Sequence, residues 1–336
     1  MLFVKPPKST GAFCFYPFTK LKVDSAGDCS FCCFQTRKCL GNILDSSLEE
    51  IWNSKLAKEI RTATLRTKLH TTCAVESCPF YHIRNDLQDR TIKTRLAKVP
   101  FDIELDLPMQ HCNIGGEDPK HGTACIMCER ALFYTRQADR VDEVCEKLRP
   151  YANKFKSLHI QGVAEAFWKN RLFDVVGKIG IDPARTRITT FTNGTIISGE
   201  RLDHWLSYPW TCLTFSIDAS TPETYKKIRI WNAYDRVVEN MMEFSRRRTF
   251  NQVLQIHNNI NLLNVHEVKG MVEVAAKFKA DMISFNPTYN LAGLIVDQSN
   301  MHLFAKAQDE ITETAQKLNV KVEFLRSLTL DLVSPC

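Results

Sequence analysis

Phe101-Asp-Ile-Glu-Leu-Asp-Leu107, followed by Cys112 and then by Cys125-Ile-Met-Cys128, is the stretch whose reading decides the fold. Its apolar residues alternate with charged ones, which predicts a strand. Three cysteines follow the C-terminal end of that strand. Working outward, the same rhythm repeats. Strands are predicted at Ser157–Gln161, Thr186–Phe191, Cys212–Ile217, Val253–Ile260 and Asp281–Phe285. Helical stretches fill the gaps: one ending near Leu148, then Trp168–Ile179, Ser198–Leu206, Pro222–Ile228, Tyr234–Arg247 and Val265–Phe278. A last helix is expected over His302–Leu318 and a strand over Val320–Leu325. Six strand–helix repeats predict an α/β fold with a parallel sheet and helical crossovers. An open doubly wound sheet and a full or partial barrel both satisfy the pattern. In either, chemistry sits at the C-terminal strand ends.

The chain has 336 residues, 44% apolar and 24% charged, which is ordinary globular composition. No apolar run approaches a membrane span, and Leu291–Val296 is among the longest. The N-terminus has no apolar core like that of a signal peptide, so no membrane association and a cytoplasmic location are expected. No GxGxxG or GxxxxGK[ST] cradle for a nucleotide phosphate occurs. Thirteen cysteines, an odd number without an export signal, argue against a disulfide framework and for metal or redox chemistry.

The cysteines are grouped. Cys14, Cys29, Cys32, Cys33, Cys39, Cys73 and Cys78 fall in the first eighty residues; Cys112, Cys125 and Cys128 form the second group. Cys145 and Cys212 read as small core hydrophobes. Leu21-Lys-Val23, the turn Asp24-Ser-Ala-Gly27 and the following Asp28–Cys33 stretch predict a hairpin that brings Cys14 and Cys32 together. Ser46 or Ser47 is placed to cap the next helix, with Glu49 and Glu50 in its first turn. That segment leads to Cys73 and Cys78. Four thiolates there suit zinc or an iron–sulfur cluster, and spacing alone does not separate the two. Three cysteines in the second group leave one coordination position open, which points to catalysis rather than structure. Thr91–Pro100 reads as a basic linker.

The second cysteine group, with the motifs behind it, resembles the radical S-adenosylmethionine (SAM) superfamily. That family usually carries C-x3-C-x2-C after its first barrel strand; here the spacing is C-x12-C-x2-C, and Met127 stands where an aromatic residue is usual. Gln161-Gly162-Val163-Ala164-Glu165 is similar to the Gly-Gly-Glu turn that holds the SAM amino group. Thr192-Asn193-Gly194 is similar to the family's Thr-Asn-Gly. Ser216-Ile-Asp218 and Arg229 resemble the ribose contacts and an arginine near the SAM carboxylate. The resemblance covers roughly residues 100–290. The first eighty residues resemble the SPASM or twitch auxiliary-cluster domain, which more often follows the barrel.

The resemblance implies a partial (β/α)6 barrel of radical SAM type with a small N-terminal cysteine-rich α+β metal domain. The implied division is 1–99 for the auxiliary domain, 100–290 for the barrel and 291–336 for a C-terminal helix and strand capping it. Cys112, Cys125 and Cys128 would hold a SAM-binding [4Fe–4S] cluster. Met127, Gly162, Val163, Ala164, Glu165, Asn193, Ser216, Asp218 and Arg229 would line the SAM site. Cys14, Cys32, Cys73 and Cys78 would hold a second [4Fe–4S] cluster, with Cys33 as an alternative to Cys32. Cys29 and Cys39 are read as unliganded. The implied reaction is reductive cleavage of SAM to a 5′-deoxyadenosyl radical that abstracts hydrogen from a substrate. A reducing partner such as flavodoxin or ferredoxin follows, and a peptide or protein is the favoured substrate class, ahead of a small molecule, nucleotide or RNA. The rivals are a binding protein organised by a four-cysteine zinc site, without redox chemistry, and a SAM-binding protein that has lost radical chemistry. Formal charge is +6 and would fall to about +3 with both clusters loaded, so nucleic acid is not an expected partner.

Overall fold

The computed structural model describes residues 14–33, 35, 38–66, 68, 70–73, 98–108, 110–114, 125–128, 138–162, 164–288, 293–325 and 328. Cys78, Val163 and most of the expected linker lie outside them. Along the chain come α1 (Tyr16–Thr19), β1 (Lys20–Val23), β2 (Asp28–Ser30), β3 (Gly41–Asn42), α2 (Leu48–Trp52) and α3 (Lys55–Leu65). The strand–helix series follows: β4 (Asp102–Asp106), α4 (Val141–Leu148), β5 (Ser157–Gln161), α5 (Arg171–Ile179), β6 (Arg187–Thr192) and α6 (Glu200–Leu206). It continues with β7 (Thr211–Ser216), α7 (Pro222–Arg229), α8 (Tyr234–Arg247), β8 (Gln252–Ile260), α9 (Val268–Lys277), β9 (Met282–Pro287), α10 (Met301–Leu318) and β10 (Val322–Phe324). The α/β class and the predicted alternation are present. Among the described residues no helix is long and apolar enough to cross a membrane.

The chain folds as two compact units. The first comprises residues 1–108, 137–162 and 173–187. Its hairpin forms as the turn chemistry requires. The Asp24 carboxylate accepts from the Ala26 and Asp28 amides, both at 2.9 Å, and Gly27 takes a φ of +94°. β1 pairs antiparallel with β2, and β2 with β3. The other edge of β1 runs parallel to β4, Lys20 opposite Asp102, and β4 runs parallel to β5. This second pairing of β1 was not legible in the sequence. The cap on α2 is Ser47: its side chain accepts from the Glu50 amide while Glu50 reaches back to the Ser47 amide.

The second unit comprises residues 109–136, 163–172 and 188–336. β6, β7, β8, β9 and β10 pair in chain order, all parallel. Leu213, Phe215, Leu254, Ile256, Ile283 and Phe285 are fully buried on the sheet. Phe244 of α8, Met271 of α9 and Phe304 of α10 complete that core, each at most 1% exposed. Along β8 burial alternates strictly, leaving Val253, Gln255, His257 and Asn259 half-buried on one face.

Candidate functional site

In the first unit the thiols of Cys14, Cys32 and Cys33 all lie within electrostatic reach of the Tyr16 phenol. Cys73 reaches the same neighbourhood through an isolated bridge to Gln35. Gln35 is the clamp of this loop. Its backbone N–H donates to the Cys32 carbonyl at 3.2 Å, its Oε1 accepts from the Phe31 amide at 2.9 Å, and its Nε2 donates to the Lys38 carbonyl at 2.8 Å. Below the loop, Trp52 of α2 is fully buried and meets Phe31 edge to face at 5.7 Å. Arg61 of α3 stacks on Trp52 at 4.3 Å and donates through Nε to the Pro17 carbonyl at 2.6 Å. Thus α2 and α3 anchor the chain next to Cys32, at Phe31, and near Cys14, at Pro17. Cys29 faces the core of β2, fully buried, and Cys39 is exposed.

In the second unit the motifs at the strand ends converge. Glu165 is 1% exposed, and both its oxygens are taken: Oε1 accepts from the Thr192 hydroxyl at 2.9 Å and the Phe167 amide at 3.3 Å, Oε2 from the Asn193 amide at 2.6 Å. Burial pushes its carboxyl up to about 7, against the lowering pull of those donors. The Glu165 amide donates to the His111 carbonyl at 2.7 Å. Glu165 therefore brackets the third-strand turn and the approach to Cys112. Asn193 Nδ2 donates to Asn113 Oδ1 at 2.9 Å and lies 4.0 Å from Cys112 Sγ. Gly194 follows with φ +78°, where a Cβ would strike Phe215 and Val237.

The other half of this constellation surrounds Arg229. Its guanidinium donates to Asp218 Oδ2 at 2.5 Å and to the Ser216 carbonyl at 2.8 Å. Asp218 is fully buried at φ +57°, a left-handed conformation in which its Oδ1 accepts from the Asn259 amide at 2.7 Å. Burial alone would pull the guanidinium down; the Asp218 carboxylate beside it outweighs that and holds it charged, with Cys125 and Cys112 also within electrostatic reach. The cysteine loop is hooked here as well: the Ile126 amide donates to the Ile228 carbonyl at 3.0 Å, and Asn261 Nδ2 contacts the Met127 sulfur at 3.3 Å. Two buried donors at this place, Arg229 Nε and the Tyr225 hydroxyl, have no hydrogen-bond partner among the described residues. They are spare donors beside Cys125, which is itself 6% exposed.

Residues 14–79 match the SPASM family, an iron–sulfur cluster-binding domain. Within this SPASM segment, Cys14, Cys32 and Cys73 are described and Cys78 is not. No curated protein matches the chain. Solved structures similar to it include Streptococcus suis SuiB bound to S-adenosylmethionine, at 14% identity and a TM-score of 0.48 over 67% of this chain and 47% of that one. Native anSMEcpe with bound AdoMet follows at 14% and 0.49, over 65% and 63%. A radical SAM methyltransferase from Sphaerobacter thermophilus stands at 10% and 0.44, over 64% and 63%. The chain spans about half the length of the SuiB chain it matches.

Among the expected site residues, the structure gathers Cys112, Cys125, Met127, Asn193, Ser216, Asp218 and Arg229 by the contacts above, and Cys128 lies within electrostatic reach of Cys125. Gly162 belongs to the first unit, where φ is +120° and a Cβ would stand 2.5 Å from the Leu107 carbonyl oxygen. Ala164 is half-buried beside Glu165. Among the described residues no three His, Cys, Asp or Glu side chains already form a metal cage. Cys145 is fully buried core, as read from the sequence, whereas Cys212, read the same way, is half-buried. Gln35, Arg61 and Asn113 escaped the sequence reading because their contacts reach groups that only the fold brings near and that no spacing encodes. His257, half-buried and bonded to Ser284 Oγ at 2.8 Å, is signalled only by the period-two polarity of β8.

Proposed function

We propose that the chain is a radical SAM enzyme with an N-terminal auxiliary iron–sulfur domain, divided as 1–99, 100–290 and 291–336. The observation that carries this reading is the pair of unpartnered buried donors, Arg229 Nε and Tyr225 Oη, in the same neighbourhood as Cys112 and Cys125. Soft thiols with an open position and buried donors aimed at no protein group fit a cluster that binds an amino-acid carboxylate.

In this reading Cys112, Cys125 and Cys128 hold a [4Fe–4S] cluster, and Cys14, Cys32, Cys73 and Cys78 hold a second. Bound there, the clusters and SAM supply an electron, carbon–sulfur cleavage and a 5′-deoxyadenosyl radical that takes hydrogen from the substrate. Arg229 presents its spare N–H to the SAM carboxylate while Asp218 keeps it charged and aligned. Asn193 orients the backbone that carries Cys112 through Asn113. Glu165 supports this frame from below through three accepted hydrogen bonds, and the second lone pair of its Oε2 is left to take the SAM amino group. Deep burial of Asp218, Glu165 and Cys125 keeps water away from reactive species. A flavodoxin- or ferredoxin-like reductant and a peptide or protein substrate complete the proposal.

The test is iron, sulfide and zinc per chain after anaerobic reconstitution, with SAM cleavage measured in parallel. About eight irons with matching sulfide supports two clusters. Cys125→Ala is expected to abolish SAM cleavage. Unchanged cleavage in that variant, or stoichiometric zinc without iron, overturns the proposal.

A further inference from the structure

Helix α3 has two unlike faces. Ala57, Ile60, Arg61 and Thr64 are buried. From this face Arg61 reaches the Pro17 carbonyl at 2.6 Å and lies over the Phe31 ring at 5.4 Å, so the helix packs beside the chain at Cys14 and Cys32. The outward face borders a groove of about 580 Å³ lined by Lys55, Lys58, Arg66 and Lys68. Glu59 is the one carboxylate among the described lining residues, and Thr62 and Ala63 complete them. Four cations and one carboxylate give the groove a formal charge of +3. The acids of α2 do not offset it: Glu49 accepts from the Tyr151 hydroxyl, and Glu50 closes the Ser47 cap. Among the described residues no ion pair engages Lys55, Lys58 or Lys68.

Lys55 and Lys58 stand in the opening turns of α3, whose first turn holds no acidic residue. A helix N-terminus disfavours cations, and Glu49 and Glu50 at the start of α2 show the ordinary arrangement. Lysines placed where they weaken their own helix point to a role outside it. The described lining also narrows the occupant. It holds no aromatic ring on which a nucleotide base could stack. Ala63 is its one apolar residue, too small to anchor a peptide. A folded acidic partner, met in a brief, charge-steered encounter, fits what remains, and redox proteins meet in this way. Electron tunnelling falls steeply with distance, and the groove is close to the thiols of this domain. The thickness of α3, roughly 10–12 Å, separates it from the chain at Cys14 and Cys32. Lys68 precedes Cys73 by five residues, so their Cα atoms are no more than about 18 Å apart.

We infer that the basic groove on α3 docks the electron donor, an acidic flavin or iron–sulfur protein. One electron leaves the donor's reduced centre for the auxiliary [4Fe–4S]²⁺ cluster, which becomes [4Fe–4S]⁺, and no proton moves. The inference rests on the two-cluster reading given above.

The test is isothermal titration of the reconstituted full chain with an acidic flavodoxin and with an acidic plant-type ferredoxin, alongside stopped-flow cluster reduction by the reduced proteins. At least one donor is expected to bind, and more weakly as salt rises. Lys55→Glu/Lys58→Glu should weaken that binding and slow that reduction by about tenfold or more, and leave reduction by dithionite unchanged. Glutamates suit a helix N-terminus, so this variant should fold; Lys68→Glu repeats the test from the other end of the groove. Lys154→Glu, at an exposed lysine outside the lining, should change neither reading. Unchanged donor binding in both groove variants, or binding of neither donor, overturns the inference. So does groove-dependent binding of poly-glutamate or single-stranded RNA that is tighter than that of either donor. Iron per chain in the same samples separates the two readings. Donor binding at the groove without iron supports the docking and faults the cluster assignment, whereas full iron without groove dependence faults the docking alone.

Discussion

Arg229 and Asp218 form an ion pair at 2.5 Å in which the carboxylate side chain is 1% exposed and the guanidinium side chain 10%. The pair joins the end of α7 to the end of β7, and it leaves Arg229 Nε without a partner among the described residues. Such a pair stabilises a fold little, since desolvation offsets most of the attraction. Its presence makes sense if the remaining N–H has a ligand to meet.

Arg229→Met is expected to destabilise the chain by about 3–5 kcal/mol, because Asp218 would remain buried and uncompensated. Urea unfolding reads this directly. The double variant Arg229→Met/Asp218→Asn should recover much of the loss while SAM binding stays absent. Full SAM binding in the double variant would remove Arg229 from the site.

Glu165 gives a pH prediction. Its folded pKa, about 7, is above its usual value of 4.5, so the native state holds the proton more tightly than the unfolded one. Stability from this group is present below about pH 4.5 and is lost as pH rises toward 7. The loss is on the order of 3 kcal/mol. Glu165→Gln should flatten that part of the profile, seen as the wild-type minus variant difference in urea midpoints from pH 4.5 to above pH 7. An unchanged slope would mean that Glu165 is ionised throughout.

The auxiliary site gives a ligand prediction. Gln35 holds the backbone of Cys32 and bridges to Cys73, while Cys33 lies toward the charged face of β1 and β4. Cys32→Ala and Cys73→Ala should each lose about four irons per chain. Cys33→Ala should keep them. The reverse order of iron loss would make Cys33 the ligand.

Gly162→Ala tests the turn after β5. With φ at +120° and the new Cβ 2.5 Å from the Leu107 carbonyl oxygen, backbone must move. A loss of about 1–3 kcal/mol is expected, measured by thermal unfolding against Gly177→Ala, whose Cβ meets nothing within 4 Å.

The strand series, the hairpin at Asp24–Gly27 and a helix cap at Ser46 or Ser47 were legible because each rests on local chemistry, and the structure chose Ser47. Alternating burial along β8 matches the alternating polarity of Leu254–His257, while Gln252 and Asn258 are polar residues on the buried face. Motif order also placed Asn193 and Asp218 just past the ends of β6 and β7, while Arg229 ends the helix α7. The protein partners of Glu165 were not legible: its motif marks it as a candidate ligand contact, and which hydroxyl and amides it also accepts from depends on what the fold brings to it. The same holds for Gln35, an unremarkable glutamine in sequence.

What the sequence by itself determined is which segments are strands and helices, where turns fall, and that thiols cluster in two groups. Periodicity, capping and turn propensities act over a few residues and are written in order along the chain. Only the tertiary structure decided that β1, nearly eighty residues upstream, lies parallel against β4 and brings Lys20 and Lys22 into ion pairs with Glu104 and Asp106. Strand pairing over that distance depends on burying Leu21 and Val23 with Ile103 and Leu105. Many apolar partners would satisfy that requirement, and the choice among them is settled by the packing of the whole unit.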